Sequence, residues 1–199
     1  PIVEPGEFTI GKRAYFLTHY VSYFTTFIFR RDLIEKRSIR FPEDRSADDS
    51  FFLACALMTA SSVARVDAPF YHYLIRPGSV TTTKDSVKYK KRLAVFSKLM
   101  AYAKAQGVYE ELQPEMDFLY IKKGYLSSLV NYTINAQEPK KEVFAEIYKA
   151  LLTEVPDYKQ NRYMKNSKAI RALLFICHNC PSLAIPLLRF YAKRNNVVS

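Results

Sequence analysis

Glycine is scarce, at 5 of 199 residues. A nucleotide-cradling α/β half relies on glycine where backbone must approach phosphate closely, so the chain does not read as a complete nucleotide-binding sheet. Cysteine is rarer still, with 3. Cys177 and Cys180 form a C-x-x-C, yet a zinc site needs a second ligand pair and only His178 is near. A thioredoxin-type site needs a surrounding βαβ pattern, which the sequence lacks. The thiols read as buried or incidental, in a reducing compartment or without a redox role. There is no uninterrupted apolar run long enough to cross a bilayer and no secretory-signal pattern. Acidic residues stop at Asp157, whereas Lys159, Arg162, Lys165, Lys168, Arg171, Arg189, Lys193 and Arg194 follow it.

With a formal net charge of +11, that one-signed tail fits an anionic partner such as phospholipid headgroups, nucleic acid or a phosphorylated substrate, or else a solvated basic face. Hydrophobic residues make up 49% and charged residues 25%, which is ordinary for a globular protein. The length suffices for one domain, or for one domain with an appendage. The chain begins at Pro1 rather than Met, so it is expected to be a piece of a longer protein or a trimmed product.

The most punctuated stretch runs from Phe41 to Thr82. An acidic, turn-rich segment, Pro42 to Asp49, leads into an apolar run from Phe51 to Ala60. A strand-like run from Val63 to Ile75 follows, and Pro77–Gly78 closes it. Ser46 and Asp49 have capping-box spacing. Before this stretch, residues 12–26 are aromatic-rich and read equally as helix or as turn and strand. Thr25 to Arg30 reads as a short strand, because β-branched and aromatic residues fit a pleated surface. Arg31 to Arg37 is helix-prone, with Leu33 and Ile34 inward. From Asp85 onward five helices are expected. The first carries Tyr89, Leu93, Phe96, Met100 and Ala103, with Gly107 as C-cap. The second runs from Leu112 to Ile134. The third starts near Pro139 and carries Val143, Ile147 and Leu151. The fourth is capped by Asn166 or Ser167 and ends near Asn179, and the fifth runs from Pro181 to about Lys193. The expected fold class is α+β, predominantly α. Short mixed strands fall in the N-terminal third, in residues 1–84, and a helical extension occupies residues 85–199.

Loops that deliver polar groups between regular elements are where chemistry concentrates. Asp48 and Asp49 stand at the mouth of an apolar helix, where the helix dipole favours an anion. A carboxylate there can accept a proton from a substrate hydroxyl, or Asp49 can simply complete the cap with Ser46. Glu43 and Asp44 read as solvated loop charges. Arg76, beside the Pro77–Gly78 turn and Ser79, can hold a phosphate or sit in a plain surface turn. His72, between Tyr71 and Tyr73, reads as a packed or hydrogen-bonded residue, and His19 and His178 have no supporting constellation.

The order of these segments resembles the second half of a bacterial family 2 glycosyltransferase of GT-A fold. The matching residues are Phe29-Arg30-Arg31-Asp32-Leu33-Ile34-Glu35, Ile39-Arg40-Phe41, Asp48-Asp49-Ser50-Phe51-Phe52, Tyr71-His72-Tyr73 and Arg76-Pro77-Gly78-Ser79-Val80-Thr81. The likeness covers about residues 25–83. It implies that Asp49 matches the general base that deprotonates the acceptor hydroxyl in an inverting transfer. Asp48 takes the place of a glutamate that binds or orients the acceptor, and Arg76 and Ser79 match the turn near the donor diphosphate. The family's D-x-D metal motif and nucleotide-holding sheet precede these segments, and this chain has no D-x-D. The divalent metal, manganese or magnesium, would therefore belong to the full-length enzyme, with none bound by this chain alone.

The resemblance implies a nucleotide-sugar donor and a saccharide or lipid-linked acceptor in surface polysaccharide synthesis. It implies no nucleic-acid partner. The expected location is the cytoplasm, peripheral on the inner membrane face, with Ala169 to Ala192 as a helix pair lying on that surface or packing as ordinary core helices. The rival reading is a non-enzymatic basic helical module that binds a membrane surface or nucleic acid.

Overall fold

The computed structural model describes residues 6–19, 23–43, 46–64, 71, 72, 74 and 85–194. The protein is predominantly helical. Its regular elements run in the order β1 (Gly6–Glu7), α1 (Ile10–His19), α2 (Arg31–Lys36), α3 (Asp48–Thr59), β2 (Ser62–Val63), α4 (Lys88–Ala105), α5 (Tyr109–Leu119), a π-helical segment (Tyr120–Leu126), α6 (Ser127–Asn135), α7 (Lys141–Glu154), α8 (Arg162–Lys165), α9 (Lys168–Asn179) and α10 (Pro181–Arg194).

The expected mixed strands are not supported. Among the described residues the strands are β1 and β2, which pair antiparallel over two residues, Gly6 with Val63 and Glu7 with Ser62. Thr25 to Arg30 is not a strand, because Phe24–Thr26 forms a single 3-10 turn and the next residues are extended without a ladder partner. The aromatic residues that suggested a pleated surface pack ring against ring instead. Phe24 and Phe29 lie edge-on to Phe52, at 6.0 and 5.3 Å between centroids, and Phe41 stacks on Phe52 at 4.3 Å. Each such pair contributes about 0.5–1.5 kcal/mol beyond its buried area, a gain that needs no neighbouring strand. Beyond Ala64, most of the strand expected over Val63 to Ile75 lies outside the described residues. The first part of the ambiguous aromatic stretch, residues 12–19, resolves as helix in α1, with Phe16, Leu17 and Thr18 buried.

The apolar run becomes α3, buried over Phe52 to Thr59 on nearly every side. A helix that is apolar all round belongs inside a protein. It packs against α1 on one side and α4 on another. The helices after residue 85 form where periodicity placed them. Leu93, Phe96, Leu99, Met100 and Ala103 of α4 are buried. α4 ends in a Schellman motif: Gly107 takes φ +67°, its N–H donates to Lys104 O at 3.0 Å, and the Val108 N–H donates to Ala103 O at 3.1 Å. Ser167 caps α9 by accepting from the Ile170 N–H at 3.4 Å.

The long helix expected over residues 112–134 is interrupted in its hydrogen-bond register. α5 and α6 are joined by the π segment, with Tyr120, Ile121 and Tyr125 buried within it. Gly124 lies there against α4. A Cβ at this position would stand 3.2 Å from the Phe96 Cβ, so the bare backbone lets the two helices approach. One hydrophobic core runs from Phe8 to Ala192, with α1 packed on α5 and α10 packed on α6. Among the described residues, no helix is long and apolar enough to cross a membrane.

Candidate functional site

The expected catalytic pair stands at the start of α3. Asp48 and Asp49 occupy its first turn, and both are partly buried. The expected capping box does not form. The residue before the helix, Ala47, takes a left-handed conformation with φ 62° and ψ 21°, and no side chain caps the helix. Ser46 is 2% exposed, and its Oγ has no hydrogen-bond partner. The left-handed turn is the physical reason: it redirects the chain between Ser46 and Asp48, away from the extended geometry a capping side chain requires. Asp49 is therefore not engaged as a cap residue.

Electrostatics also depart from expectation. The helix dipole alone would hold Asp49 as the anion. Burial, and next the neighbouring Asp48 charge, instead push its carboxyl above the ordinary aspartate range. A carboxylate raised in this way is the stronger base, which suits proton abstraction from a hydroxyl. Two residues along α3 from Asp49, Phe51 lies edge-on to Tyr102 at 6.3 Å, and burial raises the Tyr102 hydroxyl to about 12. Tyr102 in turn donates to Arg37 O at 2.8 Å, which ties the end of α2 to α4 behind the site. Cys55, on the same helix, is buried with its thiol pKa raised by burial, so it is an inert packing residue.

The other expected site residues, Arg76 and Ser79, lie outside the described residues. Asp44 also lies outside them. Glu43 is exposed, as a solvated charge should be, and His72 is exposed rather than packed. Cys177 is buried and Cys180 exposed, both as free thiols. Among the described residues no group of three or more His, Cys, Asp or Glu side chains is placed to hold a metal.

Two further places gather polar chemistry that the sequence does not announce. The first is the π segment. Lys122 reaches back to Thr18 O at 3.4 Å and lies over the Phe118 ring at 5.2 Å. Burial lowers both Lys122 and Lys123, the latter further through Lys122 and Arg92. Arg92 is brought to about 10 by burial, and its Nε has no hydrogen-bond partner. A cavity of about 240 Å³ opens beside these lysines against Thr18 and His19. π-helical turns often mark functional positions, and nothing in residues 112–134 beyond their helical period signals one.

The second place is the junction of α5 with α8. Glu115 is 1% exposed, and its carboxylate accepts from the Arg162 guanidinium and from the Tyr163 hydroxyl, the latter at 2.5 Å. Asn161 completes the junction. It caps α8 by accepting from the Tyr163 N–H at 3.0 Å and donates to Pro114 O at 2.7 Å. This latch fixes α8, and through it a groove of about 950 Å³ along α9. Neither cavity includes Asp48 or Asp49. Comparison with family models, with curated proteins and with solved structures finds no match.

Proposed function

We propose that this chain is the acceptor-side part of an inverting family 2 glycosyltransferase, transferring a sugar from a nucleotide-sugar donor to a saccharide or lipid-linked acceptor in surface polysaccharide synthesis. The observation that carries the reading is the state of Asp49. It stands uncapped at the start of a core-buried helix, with its carboxyl raised by burial and by Asp48. The ordered motif set around it supplies the reaction class.

In this reading Asp49 takes the proton of the acceptor hydroxyl as that oxygen attacks the anomeric carbon of the donor. The bond from that carbon to the diphosphate oxygen breaks, and the nucleoside diphosphate leaves with the electron pair. Attack from the opposite face inverts the anomeric configuration. Asp48 orients the acceptor, and Arg76 and Ser79 donate to the departing diphosphate, whose growing charge needs fixed cationic and N–H or O–H partners. The divalent metal implied by the resemblance finds no ligand set among the described residues, so no step passes through it here. The chain would act in the cytoplasm, peripheral on the inner membrane face. The acid-free tail and the exposed Phe175 and Phe190 of α9 and α10 favour that placement.

If the reading holds, a longer polypeptide carries this chain together with a nucleotide-binding half, and the test uses that polypeptide. Release of nucleoside diphosphate is followed for the parent and for Asp49→Asn. Turnover should collapse in the variant while its thermal stability is kept or raised. Near-normal turnover of Asp49→Asn would remove the base assignment. A parent that binds no nucleotide sugar would remove the transferase reading and leave the non-enzymatic basic module.

A further inference from the structure

The groove along α9 has a composition that a solvated basic face does not require. Lys159, Lys165, Lys168 and Arg171 all line it, together with His178, and no carboxylate does. None of these four cations makes an ion pair among the described residues. The contrast with Arg162, in the same stretch of chain, is informative. Arg162 turns to the α5 junction and pairs with Glu115, so this segment can place a basic side chain against an acid where one is present.

Position adds to the electrostatic tension. Lys168 and Arg171 fall in the first turn of α9, which has no acidic residue. A helix start carries positive partial charge and unpaired N–H groups, so cations there are unfavourable and an anion is favoured. The far wall is preformed and aromatic. Tyr148 is held between the Tyr158 hydroxyl, at 3.3 Å, and the His178 ring, at 3.9 Å between centroids. Phe175 stands at the groove and is 66% exposed.

We infer that the α9 groove binds a phosphate group carried on an apolar or ring-bearing body, with Lys165, Lys168 and Arg171 holding the phosphate and Tyr148 and Phe175 meeting the body. An arginine fork and flanking ammonium groups are the usual partners of phosphate oxygens, and the volume admits more than the phosphate alone. The chemistry is shared by a phospholipid headgroup and by a soluble diphosphate ester. It does not depend on the transferase reading, because Asp49 lies outside this groove.

Two probes separate the sources: inorganic pyrophosphate measured by titration calorimetry, and vesicles of phosphatidylglycerol against phosphatidylcholine measured by cosedimentation. Both use the 199-residue chain at about 150 mM salt, where distant surface charges are screened. The decisive comparison is between two variants with the same change in net charge. Lys168→Gln with Arg171→Gln alters the groove, whereas Lys193→Gln with Arg194→Gln alters basic residues of α10 that do not line it. The groove pair should weaken binding roughly tenfold or more, since it removes two charge-assisted contacts, and the α10 pair by less than about threefold. Saturable pyrophosphate binding assigns the site to a soluble ester. Binding confined to phosphatidylglycerol vesicles, lost on Phe175→Ser, assigns it to a headgroup. Equal losses in the two pairs, or no saturable binding of either probe, would overturn the site.

Discussion

Replacing Arg162 by alanine isolates the ion pair to the buried Glu115. The guanidinium side chain is 62% exposed, and by that measure alone the ion pair would be worth only about 0.2–1 kcal/mol. Its partner decides otherwise. The Glu115 side chain is 1% exposed and has two donors, Arg162 and the Tyr163 hydroxyl. Removing Arg162 leaves a buried carboxylate with one of them. A hydrogen bond to a charged group contributes about 1.5–3 kcal/mol, and little is recovered by re-solvating an arginine that is already wet. Arg162→Ala should therefore destabilise by about 1.5–3 kcal/mol and lower Tm by about 3–12 °C in a protein of this size. Urea and thermal unfolding followed by circular dichroism measure it. Glu115→Gln keeps the shape and removes the charge, and the double-mutant cycle should return a coupling of about 1–2 kcal/mol. An Arg162→Ala loss below about 0.5 kcal/mol would refute the reasoning, since it would mean that water reaches Glu115.

Asp49→Asn gives a pH-dependent change in stability. A carboxyl whose folded pKa is raised binds its proton more tightly in the folded state, so its contribution is present at low pH and lost as pH rises through the raised value. The uncharged variant escapes that loss. Its stability relative to the wild type should be flat below about pH 4 and should rise at higher pH; a gain that shrank with pH would contradict the assignment. Glycine positions give a matched pair. Gly107→Ala forces a Cβ into φ +67° and should cost about 1 kcal/mol, while Gly11→Ala, in α1 with open space around it, should gain about 0.5–1 kcal/mol in the same unfolding assay.

The helices after residue 85 were legible in outline because their apolar period agrees with a few clear boundary signals, although the four-residue α8 was not foreseen. Gly107, Ser167 and Pro181 mark boundaries that the structure keeps within a residue or two. The π turn was not legible, since its residues continue the same apolar period as their neighbours. The strand expected over Thr25 to Arg30 failed for a different reason. Aromatic and β-branched residues report fit to a half-buried surface, and rings meeting Phe52 satisfy that as well as a sheet does. At the candidate site, the sequence placed Asp48 and Asp49 in the first turn but misjudged what surrounds them, because burial and a left-handed residue are tertiary facts. The acid-free tail was visible in the sequence. That four of its cations would share one groove while Arg162 turned away was not.

The start of α3 gathers several local costs that a helix so deeply buried did not need. Ala47 sits in the left-handed region, Ser46 buries a hydroxyl without a partner, and Asp49 holds a carboxyl against its ordinary ionisation. The helix that follows is packed well enough to tolerate all three. Local rules broken at one point, inside an otherwise consistent fold, are the pattern expected where geometry serves chemistry. That idea is open to test through Ala47→Gly. Glycine adopts φ 62° without the steric penalty that alanine bears, about 1–2 kcal/mol, less whatever the freer unfolded chain takes back. If the strain is real, the variant should unfold at a higher temperature. If the strain also positions Asp49 and the proposed transferase reading holds, the polypeptide that carries the activity should lose turnover at the same time, although no atom of the reacting groups has changed. A stability gain with turnover intact would make the left-handed turn an accident of the loop, and a lower Tm would mean that the strain is smaller than what the freer unfolded chain and the lost Ala47 methyl contact take back.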